Sequence, residues 1–199
     1  PKPSVFDLYS IRFKKALEYY RKGVVSYADL LTEPKINDKQ LRQIQFHLSD
    51  CGTDLDKGCI RDFLNTLTYP IYFLDFETMQ QAVPEFPGAR PYQQIPFQYS
   101  LHYIEEPGGE LKHKEFLAES GKDPRRAIAE SLCRDIPMFA CVTAYNKSFE
   151  CSRIKELAAE FPDLSVHLMN IQSNIRDLLV PFQSGYYYNR AMGGSLSIK

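Results

Sequence analysis

Two acids, Asp75 and Glu77, close an otherwise apolar run, Ile71-Tyr72-Phe73-Leu74-Asp75-Phe76-Glu77-Thr78. Side chains alternate faces along a strand, so the two carboxylates point the same way, roughly 7 Å apart at the Cα. Acids beside so apolar a run are costly to desolvate unless something neutralises them. A divalent cation does so, and hard carboxylate oxygens suit magnesium or manganese. A strand that simply runs out into solvent would instead carry two hydrated acids and no ion.

A second acidic passage, Ala144-Tyr145-Asn146-Lys147-Ser148-Phe149-Glu150, reads as a strand end entering a helix. Asn146 is placed to cap that helix. Glu150 lies about one turn inside, able to lean over the sheet end where Asp75 and Glu77 emerge. An isolated Glu there also complements the helix dipole. Asp177, in Arg176-Asp177-Leu178-Leu179, is a fourth acid, placed in the last expected strand. It reads equally as an Arg-paired or loop acid. Three or four carboxylates from separate strand and helix ends are the ligand set of two-metal phosphodiester hydrolysis. In that chemistry the ions sit roughly 4 Å apart.

The elements that must position these groups are legible from periodicity. Ile71–Leu74 is a continuous run of strand formers, as expected of a strand buried on both faces. Phe97–Ile104 alternates apolar and polar, Pro107-Gly108-Gly109 turns the chain, and Leu111–Leu117 is a third extended segment. Asp123-Pro124 opens a helix with Ile128, Leu132 and Ile136 on its apolar face. A strand over Phe139–Tyr145, a helix carrying Ile154, Leu157 and Phe161, and a strand over Asn174–Val180 complete the order β-β-β-α-β-α-β. The parallel neighbour of the 71–76 strand is expected to be 139–145, since a parallel pair needs a crossover and the 123–136 helix supplies one. Residues 1–68 read as a helical lead-in or the tail of a preceding domain. Phe6, Tyr9, Phe13, Leu17 and Tyr20 form one stripe, Leu41, Ile44 and Leu48 a second, and Ile60, Phe63, Leu64 and Leu67 a third.

The chain has 199 residues, 44% hydrophobic and 25% charged, the balance of a folded globular protein rather than a disordered one. Its net charge of −1 gives no bulk attraction to a polyanion, so a nucleic-acid partner needs a local basic patch or bound cations. Cys51, Cys59, Cys133, Cys141 and Cys151 are scattered, without zinc-site spacing, and read as reduced thiols of a cytoplasmic protein. Neither a signal peptide nor a membrane-spanning run is present in the sequence. His102, His113 and His167 share no metal-ligand spacing. Arg90, Tyr92, Gln93 and Gln94, with Phe97 and Tyr99 after them, combine aromatic and basic groups suited to stacking single-stranded bases. Core and loop packing is the competing, and more ordinary, account of these residues. Tyr186-Tyr187-Tyr188 with Arg190 and Lys199 is a second such surface.

Residues 71–78 resemble the first motif of the DEDD-type 3′–5′ exonucleases, and Tyr145–Glu150 is similar to their second, an Asn followed by Phe and an acid. From about residue 60 onward the chain resembles an uncharacterised bacterial family placed among ribonuclease H-like exonucleases. Tyr69–Thr78, Arg90–Ser100, Tyr145–Glu150 and Gly193–Lys199 carry that likeness. The resemblance implies an α/β, ribonuclease H-like mixed sheet over residues 69–199: three antiparallel strands, then β-α-β, flanked by helices and preceded by the helical segment. It implies Asp75, Glu77 and Glu150 as ligands of Mg2+ or Mn2+, with Asp177 as a further catalytic acid. Asn146, Arg90, Tyr92, Gln94 and Phe149 would contact a single-stranded DNA or RNA substrate. Two departures stand out. The second-motif acid is Glu150 where these enzymes carry Asp, and no His or Tyr precedes Asp163 or Asp177 by four residues as their third motif requires. With no Met at its start and an abrupt end at Ser195–Lys199, the chain reads as cut from a longer protein, with the third motif expected beyond Lys199. The alternative is a catalytically incomplete nucleic-acid-binding or structural module fused to another nuclease domain.

Overall fold

The computed structural model describes residues 2–49 and 52–198. In chain order its elements are α1 (Phe13–Arg21), α2 (Tyr27–Leu30), α3 (Asp38–Leu48), β1 (Thr53–Leu55), α4 (Lys57–Leu64), β2 (Ile71–Met79), β3 (Ile95–Ile104) and β4 (Lys112–Leu117). There follow α5 (Arg125–Asp135), β5 (Cys141–Ala144), α6 (Ser148–Glu160), α7 (Ser165–Ser173), β6 (Ile175–Asp177), α8 (Val180–Gln183) and β7 (Tyr187–Asn189). They fall into two compact units, Leu64–Leu178 and Pro1–Phe63 with Leu179–Lys199.

The first of these is a five-stranded mixed sheet in the order β4-β3-β2-β5-β6, flanked by helices. β2, β3 and β4 form an antiparallel meander, β5 runs parallel to β2, and β6 runs parallel to β5. β2 is therefore central and pairs in parallel with β5, as its apolar run and the α5 crossover require. Tyr72, Val142 and Ile175 lie side by side in register, and alternation puts Leu74, Phe76 and Ala144 on the same face. That face is buried against Ile128, Leu132 and Ile136 from α5 and its end, Ile154 and Leu157 of α6, and Leu168 and Ile171 of α7.

Local chemistry sets the element ends. Asp123 accepts a hydrogen bond from the Arg125 backbone N–H at 3.1 Å, satisfying one donor of the first turn of α5. Two expected strands are shorter than the sequence suggested: Phe139–Tyr145 contracts to Cys141–Ala144, and Asn174–Val180 to Ile175–Asp177. Phe139 and Asn146 both take positive φ, 65° and 62°, which ends strand geometry on either side of β5. Asn146 is consequently not the helix cap. Lys147 occupies that position, while the Asn146 Oδ1 accepts from the Ser148 hydroxyl at 3.1 Å.

The other unit corrects the reading of both chain ends. Phe6, Phe13 and Tyr20 are not a buried stripe. Ser4 and Asp7 close a capping box on a short 3-10 turn over Val5–Asp7, and Ser10 takes φ 51°. One continuous helix is thereby prevented. The three rings lie outside and touch one another, Phe6 to Phe13 at 6.1 Å and Phe6 to Tyr20 at 5.8 Å. Val5, Leu8, Ala16, Tyr19, Tyr27, Leu30 and Ile44 form the core instead. The segment after Leu178, assigned from sequence to the sheet domain, belongs here: β7 pairs antiparallel with β1, and Arg42 donates to the Gly185 carbonyl at 2.7 Å. Tyr187 and Tyr188 lie in β7 and Arg190 just after it, while Lys199 falls outside the described residues.

Candidate functional site

The face of the sheet opposite the helices carries Asp75 and Glu77. On β2, Leu74 and Phe76 are buried, whereas Asp75 and Glu77 between and beyond them are exposed. Their antiparallel partners on β3 are Ser100 and Gln98, and Ser100 pairs in turn with Glu115 of β4. Thr143 of β5 lies beside Phe73, and Arg176 beside Thr143, so both belong to this face. A bulge between Glu77 and Thr78 shifts the register just past the second acid. Bulges of this kind re-aim side chains at strand ends.

Glu150 and Asp177 are placed differently. Glu150 sits in the first turn of α6 and is only 4% exposed. It precedes Ile154 by four residues and Leu157 by seven, so it shares the stripe of α6 that packs on the sheet. The helix N-terminus favours negative charge at this position. Asp177 pairs with Ala144 and therefore projects toward the helix-covered face, not the face of Asp75 and Glu77. Its Oδ1 accepts the backbone N–H of Asn146 at 2.9 Å, tying the turn between β5 and α6 to the end of β6. Burial, then the Asp177 charge, hold the Tyr145 phenol above its ordinary pKa. Among the described residues no group of three His, Cys, Asp or Glu side chains is close enough to hold a metal ion.

Arg90, Tyr92 and Gln94 are brought together. With Gln80, Pro91, Gln93, Arg153 and Glu156 they line an open polar cleft of about 350 Å³. Its loop wall is fixed by two hydrogen bonds: the Tyr92 backbone N–H donates to the Gln81 carbonyl at 2.8 Å, and the Gln80 side-chain amide donates to the Tyr92 carbonyl at 3.2 Å. Tyr92 has φ 58°, a left-handed conformation that a bulky residue rarely adopts, and the residue is 68% exposed. Arg153 forms the opposite wall. It donates to Gln94 Oε1 and, at 2.9 Å, to Glu156, and its guanidinium lies 5.5 Å from the centre of the Phe149 ring. Phe149 itself packs against the sheet core.

Sequence reading missed Arg153 and Glu156. They follow Glu150 at intervals of three along one helix, a spacing that marks neighbours on a helical surface. That signal was available once the helix was assigned. It also missed the meeting of His102 and His113, which are cross-strand partners on the open face.

Over residues 72–197 the chain matches the family described as Domain of unknown function (DUF2779), and it belongs to that family. No curated protein and no solved structure matches it. Among the described residues no helix is long and apolar enough to cross a membrane.

Proposed function

We propose that this protein is a metal-dependent nuclease with a ribonuclease H-like sheet, acting on single-stranded DNA or RNA, with 3′–5′ exonucleolytic polarity. The observation that carries the reading is the pair Asp75 and Glu77, side by side on the solvent face of the central strand. Magnesium is commonly held by one or two carboxylates, with waters and substrate phosphates completing its shell. Two exposed acids on one strand face fit that pattern without a third protein ligand close by. Magnesium or manganese, when bound, supplies an activated water and neutralises developing charge on the phosphate. Asp75 and Glu77 hold the ion, and Glu150, at the start of α6, adds negative potential at the same end of the sheet. Arg90 and Arg153 give the adjacent cleft the local positive charge that the net charge of −1 lacks. The exposed Tyr92 ring offers a stacking surface for an unpaired base.

A second reading, a nucleic-acid-binding module without catalysis, is favoured by one specific observation: Asp177 faces away from Asp75 and Glu77. A manganese-supplemented degradation assay on labelled single-stranded DNA and RNA separates the two. The enzyme predicts cleavage that Asp75→Asn lowers by about 10²-fold or more while leaving substrate affinity largely intact. Tight binding without cleavage, identical in wild type and Asp75→Asn, supports the module and ends the enzyme reading.

A further inference from the structure

His102 and His113 lie opposite each other on β3 and β4, with ring centres 4.3 Å apart and ring planes inclined by 32°. Both are exposed. The hydroxyl of Ser100 hydrogen-bonds His113 Nε2 at 3.1 Å, which fixes the ring by one nitrogen. Charges on this face are predominantly negative. Glu115 stands two residues along β4 from His113, and Asp75 and Glu77 lie one strand beyond β3. The cation Arg176 lies on β6, at the far edge of the sheet from β4. Lys112 and Lys114 alternate to the other face, where Lys114 pairs with Asp135.

We propose that His102 and His113 form a two-imidazole site for a borderline divalent transition metal of the zinc, nickel or copper class. Imidazole nitrogens select these ions over magnesium, and the nearby carboxylates favour a cation over an anion on this face. Ser100 acts as the outer partner that orients a ligating imidazole, with His113 donating through Nε2–H and coordinating through Nδ1. The protein supplies two ligands and leaves the remaining positions to water, the open coordination typical of reactive rather than structural sites. The inference does not depend on the hydrolytic reading, which uses hard ions and carboxylates.

The test is calorimetric titration of the chain with Ni2+ and with Zn2+ at neutral pH, in excess Mg2+ to occupy carboxylate sites. We expect one ion per chain, with affinity lowered at least about tenfold by His102→Gln and by His113→Gln, and unchanged by His167→Gln. Affinity should also fall on acidification, because protons compete for the ligating nitrogens. Both substitutions are at exposed positions. As a measurement independent of any variant, the imidazole ¹⁵N resonances of the wild type should shift on Zn2+ addition for His102 and His113 but not for His47 and His167. No saturation by about 1 mM metal, or wild-type affinity retained in either His102→Gln or His113→Gln, or imidazole shifts confined to other histidines, would overturn the site.

Discussion

The two faces of the five-stranded sheet are made from the same strands, residue by residue in alternation, yet they are chemically opposite. One presents Tyr72, Leu74, Phe76, Tyr99, Leu101, Val142 and Ile175 to three helices. The other presents Asp75, Glu77, Gln98, Ser100, His102, His113 and Glu115 to solvent. Apolar burial dominates folding free energy, so the covered face should carry stability. Hydrated groups contribute little to folding and remain available to ions and substrates. The sharpest way to break this division is to substitute across it. Leu132→Ala, which empties a fully buried position, should cost about 2–5 kcal/mol in urea unfolding. Asp75→Asn and Glu77→Gln should each change stability by less than about 0.5 kcal/mol. A cost at Asp75 equal to that at Leu132 would mean the open face is structural.

A buried polar cluster on the covered face yields the next largest effect. The Tyr99 hydroxyl, buried beneath α5, donates to Asp135 at 2.6 Å and hydrogen-bonds Ser131 at 2.7 Å. Burial, then the hydrogen bond to Asp135, push the phenol well above its ordinary pKa. Burial of Asp135 acts to raise its pKa, but hydrogen bonds from Tyr99 and Arg134 and the charges of Arg134 and Lys114 together leave it lowered. A carboxyl with a lowered folded pKa stabilises the protein above its unfolded value, about 3.9, and loses that contribution as pH falls through the folded value. Asp123, lowered chiefly by its hydrogen bonds from Arg125, behaves in the same sense. Tyr99→Phe should therefore cost about 1–3 kcal/mol at neutral pH. Asp135→Asn should flatten the stability profile below about pH 4. An unchanged acid limb in Asp135→Asn would remove Asp135 from the account.

How much of this was legible depends on whether the signal is local. The run Ile71–Leu74, the turn at Pro107-Gly108-Gly109 and the Asp123-Pro124 helix start are local, and the mixed sheet with a central β2 follows from them. The parity of Asp177 is not local. Which face it joins depends on the register Ala144↔Asp177 between parallel strands separated by α6 and α7. The pairing of β7 with β1 joins two three-residue strands more than 130 positions apart, with no periodicity to betray it. The His102–His113 contact lies between. His102 precedes Pro107 by five residues and His113 follows Gly108 by five, so the turn itself sets them opposite. Reading histidines by linear spacing overlooked what hairpin symmetry contains. Within the site, Asp75 and Glu77 followed from strand alternation, while the cleft partner Arg153 required knowing which side of α6 meets the loop at Gln94.

At Tyr92, stability and function should move in opposite directions. Tyr92 is an aromatic residue at φ 58°, held by bonds from its own N–H to Gln81 and from Gln80 to its carbonyl. For an ordinary L-residue the left-handed conformation costs roughly 1–2 kcal/mol, whereas Asn enters it readily. With the residue 68% exposed, the side chain returns little packing for that strain. Tyr92→Asn should thus stabilise the sheet unit by about 0.5–1 kcal/mol, read as a higher urea midpoint with unchanged slope. If the ring is the stacking surface of the cleft, the same substitution should weaken single-stranded oligonucleotide binding by about 1–3 kcal/mol. Fluorescence anisotropy with a labelled oligonucleotide reads that loss, and Tyr92→Phe, which keeps the ring, should restore most of the affinity. A stabilised Tyr92→Asn variant that binds as tightly as wild type would leave the strain without a ligand to explain it. It would also move the substrate path away from the Arg90–Arg153 cleft.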